Sequence, residues 1–564
     1  MRFITGLLFT FICLLPAGSM AQNKVTLSGK VIDQHGTPIA QATIAVEESS
    51  CTFAGKTQTT MNVITKLMYS IHRILGTLLC ILFLMWFLSA FVMMYHRFPR
   101  VSAKEKMQKL EMLSQNGDSL PDISSVTARL PHGVKVRSTM LNLNAGHPEF
   151  SFSTTKGTFH FLADSAISRP PLDSEHLHRT AALWCSSPIT RIDTLHSLDQ
   201  WIPFAELKKE MPIYKIYFAD EAGTQLYLSS QNGEALQFSY RSERFWAWLG
   251  AIPHWVYFTW LRQDTVLWTK TVIWLSALGC LMVIAGIWVT VDVWRKTHRN
   301  RHSKFSPYRK RWYHWHYVSG ILFGIFVLTF TFSGMMSLAD IPEWIHKPAL
   351  KKGSPTRILH ARGPRPENYP LDYRRVIAAY PQALQIEWRN FREHPYYIVK
   401  DSKNEYYIDA ADSLPRPLQL SEEEILKGVE SIYASQRDSS QHIPGIRISL
   451  LEHFETYYRD MSNMYRGRPQ LPVWKIVVDD PDRSVYYIHP ETGSIRHTDT
   501  SSRWKYWSYT ALHRMRLPGL NSNATLRKTV LWVLLLGGTA VCITGVALSV
   551  NYIRRKCHKR QKHY

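Results

Sequence analysis

The chain has 564 residues, too many for one core, a formal charge of +23, and Phe, Trp and Tyr at 12% of positions. Its seven cysteines, at 13, 51, 80, 185, 280, 542 and 557, are scattered without a CxxC, which argues against a disulfide framework or a zinc ribbon. The charge does not read as nucleic-acid binding, because eight Lys or Arg fall in 295–311 and six in Arg554–Lys562, both beside long apolar runs. That placement holds a loop on the cytoplasmic side of a membrane, with anionic-lipid contact as a secondary consequence.

In chain order, residues 1–21, MRFITGLLFTFICLLPAGSMA, join a basic start, an apolar centre and a small-residue end, the pattern of a secretory signal. The following VTLSGKVIDQHGTPIAQATIAVEESS resembles the opening strands of the carboxypeptidase-regulatory-like β-sandwich at the start of many outer-membrane receptors. It stops after roughly half a domain, too little to bury a core. A used signal would put residue 66 outside, and the basic 295–311 loop with it, against the agreement between that loop and the basic tail. The functional unit is therefore expected to start near Met61, with 1–60 a signal-like leader and truncated fragment, either a remnant or mis-joined.

Four stretches, about 67–96, 271–294, 315–339 and 529–553, each contain at least 20 successive residues without Asp, Glu, Lys or Arg. That is enough to cross a hydrocarbon core of ~30 Å at ~1.5 Å per residue. The expected layout is a first transmembrane helix in 61–96, an outer α+β domain in 97–241, and an interfacial helix plus second span in 242–296. A basic loop (297–311) and a third span (312–339) follow, then a second outer domain (340–500), an interfacial helix plus fourth span (501–555) and a basic tail (556–564). Hairpins are expected at 149–167, 214–236, 394–418 and 474–495, where apolar and polar residues alternate about a turn, and a short helix at 372–383. Arg97, Arg100, Lys104, Lys106 and Lys109 fall on the outer side, which long translocated loops tolerate.

An internal repeat orders this layout. With a shift of 244, IHRILGTLLCILFLMWFLSAF (71–91) lies over WHYVSGILFGIFVLTFTFSGM (315–335), so that His72 meets His316, Gly76 meets Gly320 and Ser89 meets Ser333. With a shift of 259, 244–296 lies over 503–555, and Arg244, Trp248, His254, Gly279 and Gly286 meet Arg503, Trp507, His513, Gly538 and Gly545. Each half is a span, an outer domain and a returning span, so the halves run parallel and their pseudo-two-fold axis lies along the membrane normal.

Such an axis keeps equivalent residues at equal depth. His72 and His316 start outward-going spans near the cytoplasmic face. His254 and His513 lie in aromatic, interfacial segments, FWAWLGAIPHWVYF (245–258) and WKYWSYTALHRMRL (504–517), near the opposite face. Two imidazoles facing across an axis form the ligand set of a six-coordinate b-type haem, and helical bundles build such sites from facing side chains. A histidine at a span end also serves as a plain interfacial residue; four in two symmetric pairs, in segments where ionisable groups are rare, favour ligation. Glycines one turn after His72 and His316 would leave a flat slot for a porphyrin, although small residues also serve simple helix packing. His314 faces Ser70 in the repeat and reads as either a supporting partner of a ligand or, preferably, a solvated neighbour, and His96, which faces Asp340, is not expected to be a ligand.

HRILG, the span ending FSGMM, the hairpin YYIHPETG and LH ahead of the last span together resemble the PepSY-associated transmembrane proteins, also called iron-regulated membrane proteins, over about residues 61–555. The resemblance implies a Gram-negative inner-membrane protein with two periplasmic PepSY-like domains, and some members are siderophore reductases with two haems on histidines. The family's ligands map to His72, His316 and His513; the first-half counterpart reads Pro253-His254 where the family has LH. The leader departs from the family.

The expected fold is thus an α-helical membrane bundle of four spans with two periplasmic α+β domains. The expected function is an inner-membrane haem b protein, with two haems as the resemblance implies, that passes electrons from the cytoplasmic side to a periplasmic ferric siderophore or other ferric chelate. The alternatives are a PepSY protein that binds peptides or restrains a peptidase without redox activity, and a haem shuttle to another periplasmic oxidoreductase. No P-loop, GxSxG or HExxH is present, so ATP-driven transport, serine hydrolysis and zinc proteolysis lack support. No dinucleotide fingerprint marks the electron donor, which leaves a separate reductase, a soluble flavin or a quinol.

Overall fold

Four helices dominate the computed structural model: Val63–Met93, Thr265–His298, Arg311–Met336 and Ala524–Gln561. The described residues are 63–561 apart from 115–119, 145, 165–173, 299–304, 349, 351–353, 361–364, 435–443 and 460–469. They fall in the unit Met61–Tyr564, one of two into which the chain divides; the leader and sandwich-like fragment lie outside the described residues.

All four helices are long and apolar enough to cross a membrane, as the sequence leads one to expect, and the chain is a multi-pass membrane protein by this measure. Large apolar side chains point outward from them, with Leu78 71% exposed, Ile81 72% and Trp274 68%, where hydrocarbon rather than water suits them. The helices pack in a ring, first on second, second on third, third on fourth and fourth on first. The first and third are therefore diagonal, as are the second and fourth. Apolar surface gains nothing by leaving lipid, so this packing depends on close approach at small residues. Gly279 makes room for the Phe83 ring, and its repeat partner Gly538 makes room for Phe87.

The segments between the first and second helices and between the third and fourth both fold into sheet, so the sheets share one side of the bundle. The connection between the second and third helices is on the other. The hairpins expected at 214–236 and 474–495 form β5 (Ile213–Phe218), β6 (Gln225–Ser229) and β7 (Ala235–Ser239), and β13 (Val473–Val478), β14 (Val485–Ile488) and β15 (Ile495–Thr498). Each is completed to four antiparallel strands, by β4 (Ile189–Leu195) and by β12 (Ile446–Leu451). Each carries a matching polar triad. Asp199 accepts from Lys215 Nζ at 2.9 Å and Tyr227 OH at 2.7 Å, and Glu455 accepts from Lys475 Nζ at 2.7 Å and from Tyr487 OH.

The outer regions of the two halves are not independent of each other. Strands β1 (Val136–Asn144), β2 (His147–Thr154) and β3 (Gly157–Leu162) join β8 (Gln385–Phe391), β9 (His394–Lys400), β10 (Glu405–Asp409) and β11 (Arg416–Pro417) in one seven-stranded sheet, ordered β11-β10-β9-β8-β1-β2-β3. Its seam is an antiparallel pairing of β1 with β8, from Thr139↔Trp388 to Asn142↔Gln385. A two-fold axis through that seam exchanges β1 with β8, β2 with β9 and β3 with β10, the symmetry the repeat demands of the bundle below. Leu141, Phe150 and Phe152 from one half and Ile386, Trp388 and Tyr397 from the other share one core.

On β9, His394 bridges two carboxylates. Its Nε2 lies 3.0 Å from Asp409 Oδ1, and its Nδ1 lies 2.9 Å from Glu424 Oε1 on helix Glu422–Ala434. The bond to Asp409 raises the imidazole pKa from 6.5, and the partner-laden carboxylates are held below their usual 3.8 and 4.5 despite partial burial. A raised histidine stabilises fully below pH 6.5 and loses that contribution as pH rises through its folded pKa; the depressed carboxylates stabilise above their unfolded values and lose that as pH falls. The difference in melting temperature between the wild type and His394→Gln is therefore expected to be largest between about pH 4.5 and 6.5 and to shrink on either side. A pH-independent difference in a thermal melt would show that the bridge carries no charge coupling.

Candidate functional site

Four histidines come together as two pairs. His72 on the first helix and His316 on the diagonal third helix have ring centroids 6.1 Å apart at an interplanar angle of 32°. His254, in the short helix Ala251–Trp255, and His513, just after the π-helical turn Tyr506–Ala511, have centroids 6.2 Å apart at 53°. These are the four residues, in the two pairings, that the repeat singles out.

Each ring is held by its Nδ1. His72 Nδ1–H donates to the Met282 carbonyl at 3.0 Å. His316 Nδ1–H donates to Thr544 Oγ1 at 3.0 Å, whose own hydroxyl is committed to the Ala540 carbonyl. His254 Nδ1–H lies 3.2 Å from both Ser89 Oγ and the Trp86 carbonyl, and His513 Nδ1–H lies 3.1 Å from Ser333 Oγ and 3.2 Å from the Phe330 carbonyl. Both serine hydroxyls donate to the carbonyl three residues back, so they accept from the imidazole. All four rings are thereby fixed as the Nδ1-protonated tautomer with the Nε2 lone pair available. Burial lowers the pKa of His254 and His513, which keeps them neutral, the form that binds a metal.

The spacing suits one metal ion between each pair. A metal–imidazole bond of about 2.0–2.1 Å plus about 1.1 Å from nitrogen to ring centre, on each side, separates the two centroids by about 6.3 Å. Backbone or hydroxyl acceptors on the non-ligating nitrogen are the usual supporting shell of such ligands. The two layers stand apart, since Ser89 and Ser333 each lie seventeen residues beyond His72 and His316, about 25 Å along a helix. Phe83, Phe87, Phe330 and Trp86 pack between them.

The glycines one turn past the inner histidines border open space. A Cβ on Gly320 would meet nothing within 4 Å, and one on Gly76 would meet only Met282 Sδ at 4.0 Å. Other glycines press on the rings themselves. A Cβ on Gly286 would come within 2.6 Å of His72 Cε1, whereas one on its repeat partner Gly545 would stop 3.5 Å from His316 Cε1. Gly286→Ala is therefore expected to displace the His72 ring, and Gly545→Ala to be tolerated with the about 1 kcal/mol of helix propensity that Gly→Ala supplies. Metal or cofactor stoichiometry of the two purified variants checks the contrast; equal behaviour would contradict it.

The backbone marks the outer pair a second time. Val256 and Met515, each two residues past an outer histidine and equivalent in the repeat, both adopt left-handed φ, 55° and 47°, and both are buried. Such a conformation costs about 1–3 kcal/mol at a non-glycine residue and is a marked outlier for valine. Its recurrence at one register in both halves fixes where the helix behind each imidazole ends.

His314 lies edge-on to Trp315 and His96 stacks flat on Trp246 at 4.4 Å; neither joins a pair. The supporting residues Ser89, Ser333 and Thr544 were not singled out from the sequence as functional, although Ser89 and Ser333 coincide in the repeat. Among the described residues no group of three or more His, Cys, Asp or Glu is placed to hold a metal ion. A scan against protein-family models finds no match, and a search of curated proteins finds none either.

Proposed function

We propose that this chain is a haem b electron conduit across the bacterial inner membrane that reduces ferric siderophores or similar ferric chelates at its sheet-bearing, periplasmic face. The reading extends the resemblance to PepSY-associated iron-regulated membrane proteins. The observation that carries it is the pair of imidazole pairs, 6.1 and 6.2 Å apart at two depths, each ring anchored through Nδ1. His72 and His316 would hold one haem and His254 and His513 a second.

The bound haems supply one-electron chemistry. The protein's own residues do the rest. Met282, Thr544, Ser89 and Ser333 hold the imidazoles neutral and oriented. The diagonal placement of the first and third helices keeps the inner pair apart, and the phenylalanine layer between the pairs excludes water. The basic 295–311 loop and tail would put the inner pair on the cytoplasmic side, where a donor would deliver electrons. On the opposite side the sheets flank the outer pair and would present it to the acceptor. Ferric iron in a chelate of hard oxygen ligands is an apt acceptor, because its ferrous form is softer and is released.

Mixing the reduced, purified protein with a ferric hydroxamate or catecholate tests this. Reoxidation of the haem together with appearance of ferrous iron, trapped by a ferrous-specific chelator, is expected. Haem that stays reduced in their presence would leave the conduit without this substrate.

A further inference from the structure

The imidazole pairs obey the two-fold symmetry, but their neighbours break it. His513 is followed by Arg514, whereas its counterpart His254 is followed by Trp255. Tyr509, whose counterpart is Gly250, lies with its ring centroid 5.5 Å from that of His513. The Arg514 guanidinium sits 5.2 Å over the Tyr509 ring, and its Nη2 donates to Tyr509 OH at 3.1 Å. Arg514 is half-buried, forms no ion pair among the described residues, and follows a π-helical turn, a winding that recurs at functional positions. The other layer repeats the imbalance. His72 is followed by Arg73, whose guanidinium lies 5.8 Å over the Tyr552 ring, and His316 is followed by Tyr317.

A guanidinium at the edge of a membrane bundle, oriented by an aromatic ring and with most of its donors uncommitted, suits a carboxylate. A haem brings two carboxylates on one edge of an otherwise apolar ring. In a bilayer those carboxylates must reach water or a cation. A symmetric pair of imidazoles fixes the iron but does not choose which way that edge faces; one arginine on one side does.

We propose that Arg514, held by Tyr509, binds a propionate carboxylate of the outer haem and so sets its orientation. This rests on the function proposed above. A cation beside the iron also favours the ferrous over the ferric state, so Arg514 raises the outer potential. A lipid phosphate offers the same anionic oxygens, and the experiment separates the two sources.

The full chain carrying His316→Ala, which keeps the outer site alone, is compared with and without Arg514→Gln. Haem per chain is measured by the pyridine haemochrome and midpoint potential by spectroelectrochemistry. Arg514→Gln is expected to weaken the ferrous preference about tenfold, 59 mV for one electron, and to abolish discrimination between haem and its dimethyl ester on reconstitution. Tyr509→Phe, a milder change that serves if Arg514→Gln does not fold, is expected to shift the potential the same way by less. Unchanged potential and unchanged ester discrimination in these variants would overturn the proposal and assign Arg514 to lipid phosphate. Absence of haem from the parent chain would instead overturn the function on which it rests.

Discussion

His72→Ala is expected to halve the haem carried by the purified protein, from two per chain to one, and His316→Ala to do the same. The two rings face each other at a spacing that suits one metal ion, so on the function proposed above removal of either would leave a haem iron there with one protein ligand. The informative variant is the double one. His72→Ala with His316→Ala is expected to lose no more than either alone, because the two residues act on a single site and their effects do not add. His72→Ala with His513→Ala is expected to lose both haems. If the first double variant were instead the one stripped bare, the pairing across the axis would be wrong.

The second large effect concerns direction. His254→Ala or His513→Ala is expected to leave the inner haem present and reducible by dithionite, while reoxidation by an external ferric chelate slows by more than 100-fold. Loss of a supporting residue alone costs about 10–100-fold in metal affinity or activity, and loss of the ligand itself costs more. Rapid-mixing absorbance of each variant against a ferric chelate reads this directly. Undiminished reoxidation would mean that chelates draw electrons from the inner layer or from elsewhere on the chain.

Much of this arrangement was legible in the sequence because a repeat does what periodicity does not: it reports on distance across the fold. The match of His72 to His316 and of His254 to His513, with an axis along the membrane normal, led to the two pairs that the structure brings together. The hairpins 214–236 and 474–495 were legible from alternation about a turn. The seam between β1 and β8 was not, because nothing local in a strand names a partner some 240 residues away, and the two outer regions read as separate domains. The imidazole anchors divide in the same way. Ser89 and Ser333 left a trace as a register match, whereas the Met282 carbonyl that holds His72 is backbone and leaves none. Gly76 and Gly320 drew notice for being one turn from a histidine, and they border open space; it is Gly286, legible only as a register match to Gly545, that lies against the His72 ring.

Backbone strain gathers at one end of the bundle. The left-handed Val256 and Met515 and the Tyr509–Arg514 contact all cluster at the outer pair, the end that would meet the acceptor. The inner pair lies within long regular helices.

The visible spectrum of the dithionite-reduced, purified full-length protein tests the central claim most directly. Sharp bands of a six-coordinate ferrous b haem, with a haemochrome content of two per chain and no spectral change under carbon monoxide, are what two bis-imidazole sites produce. A protein that folds, purifies with its four helices intact and shows no haem absorption would contradict the account at its root.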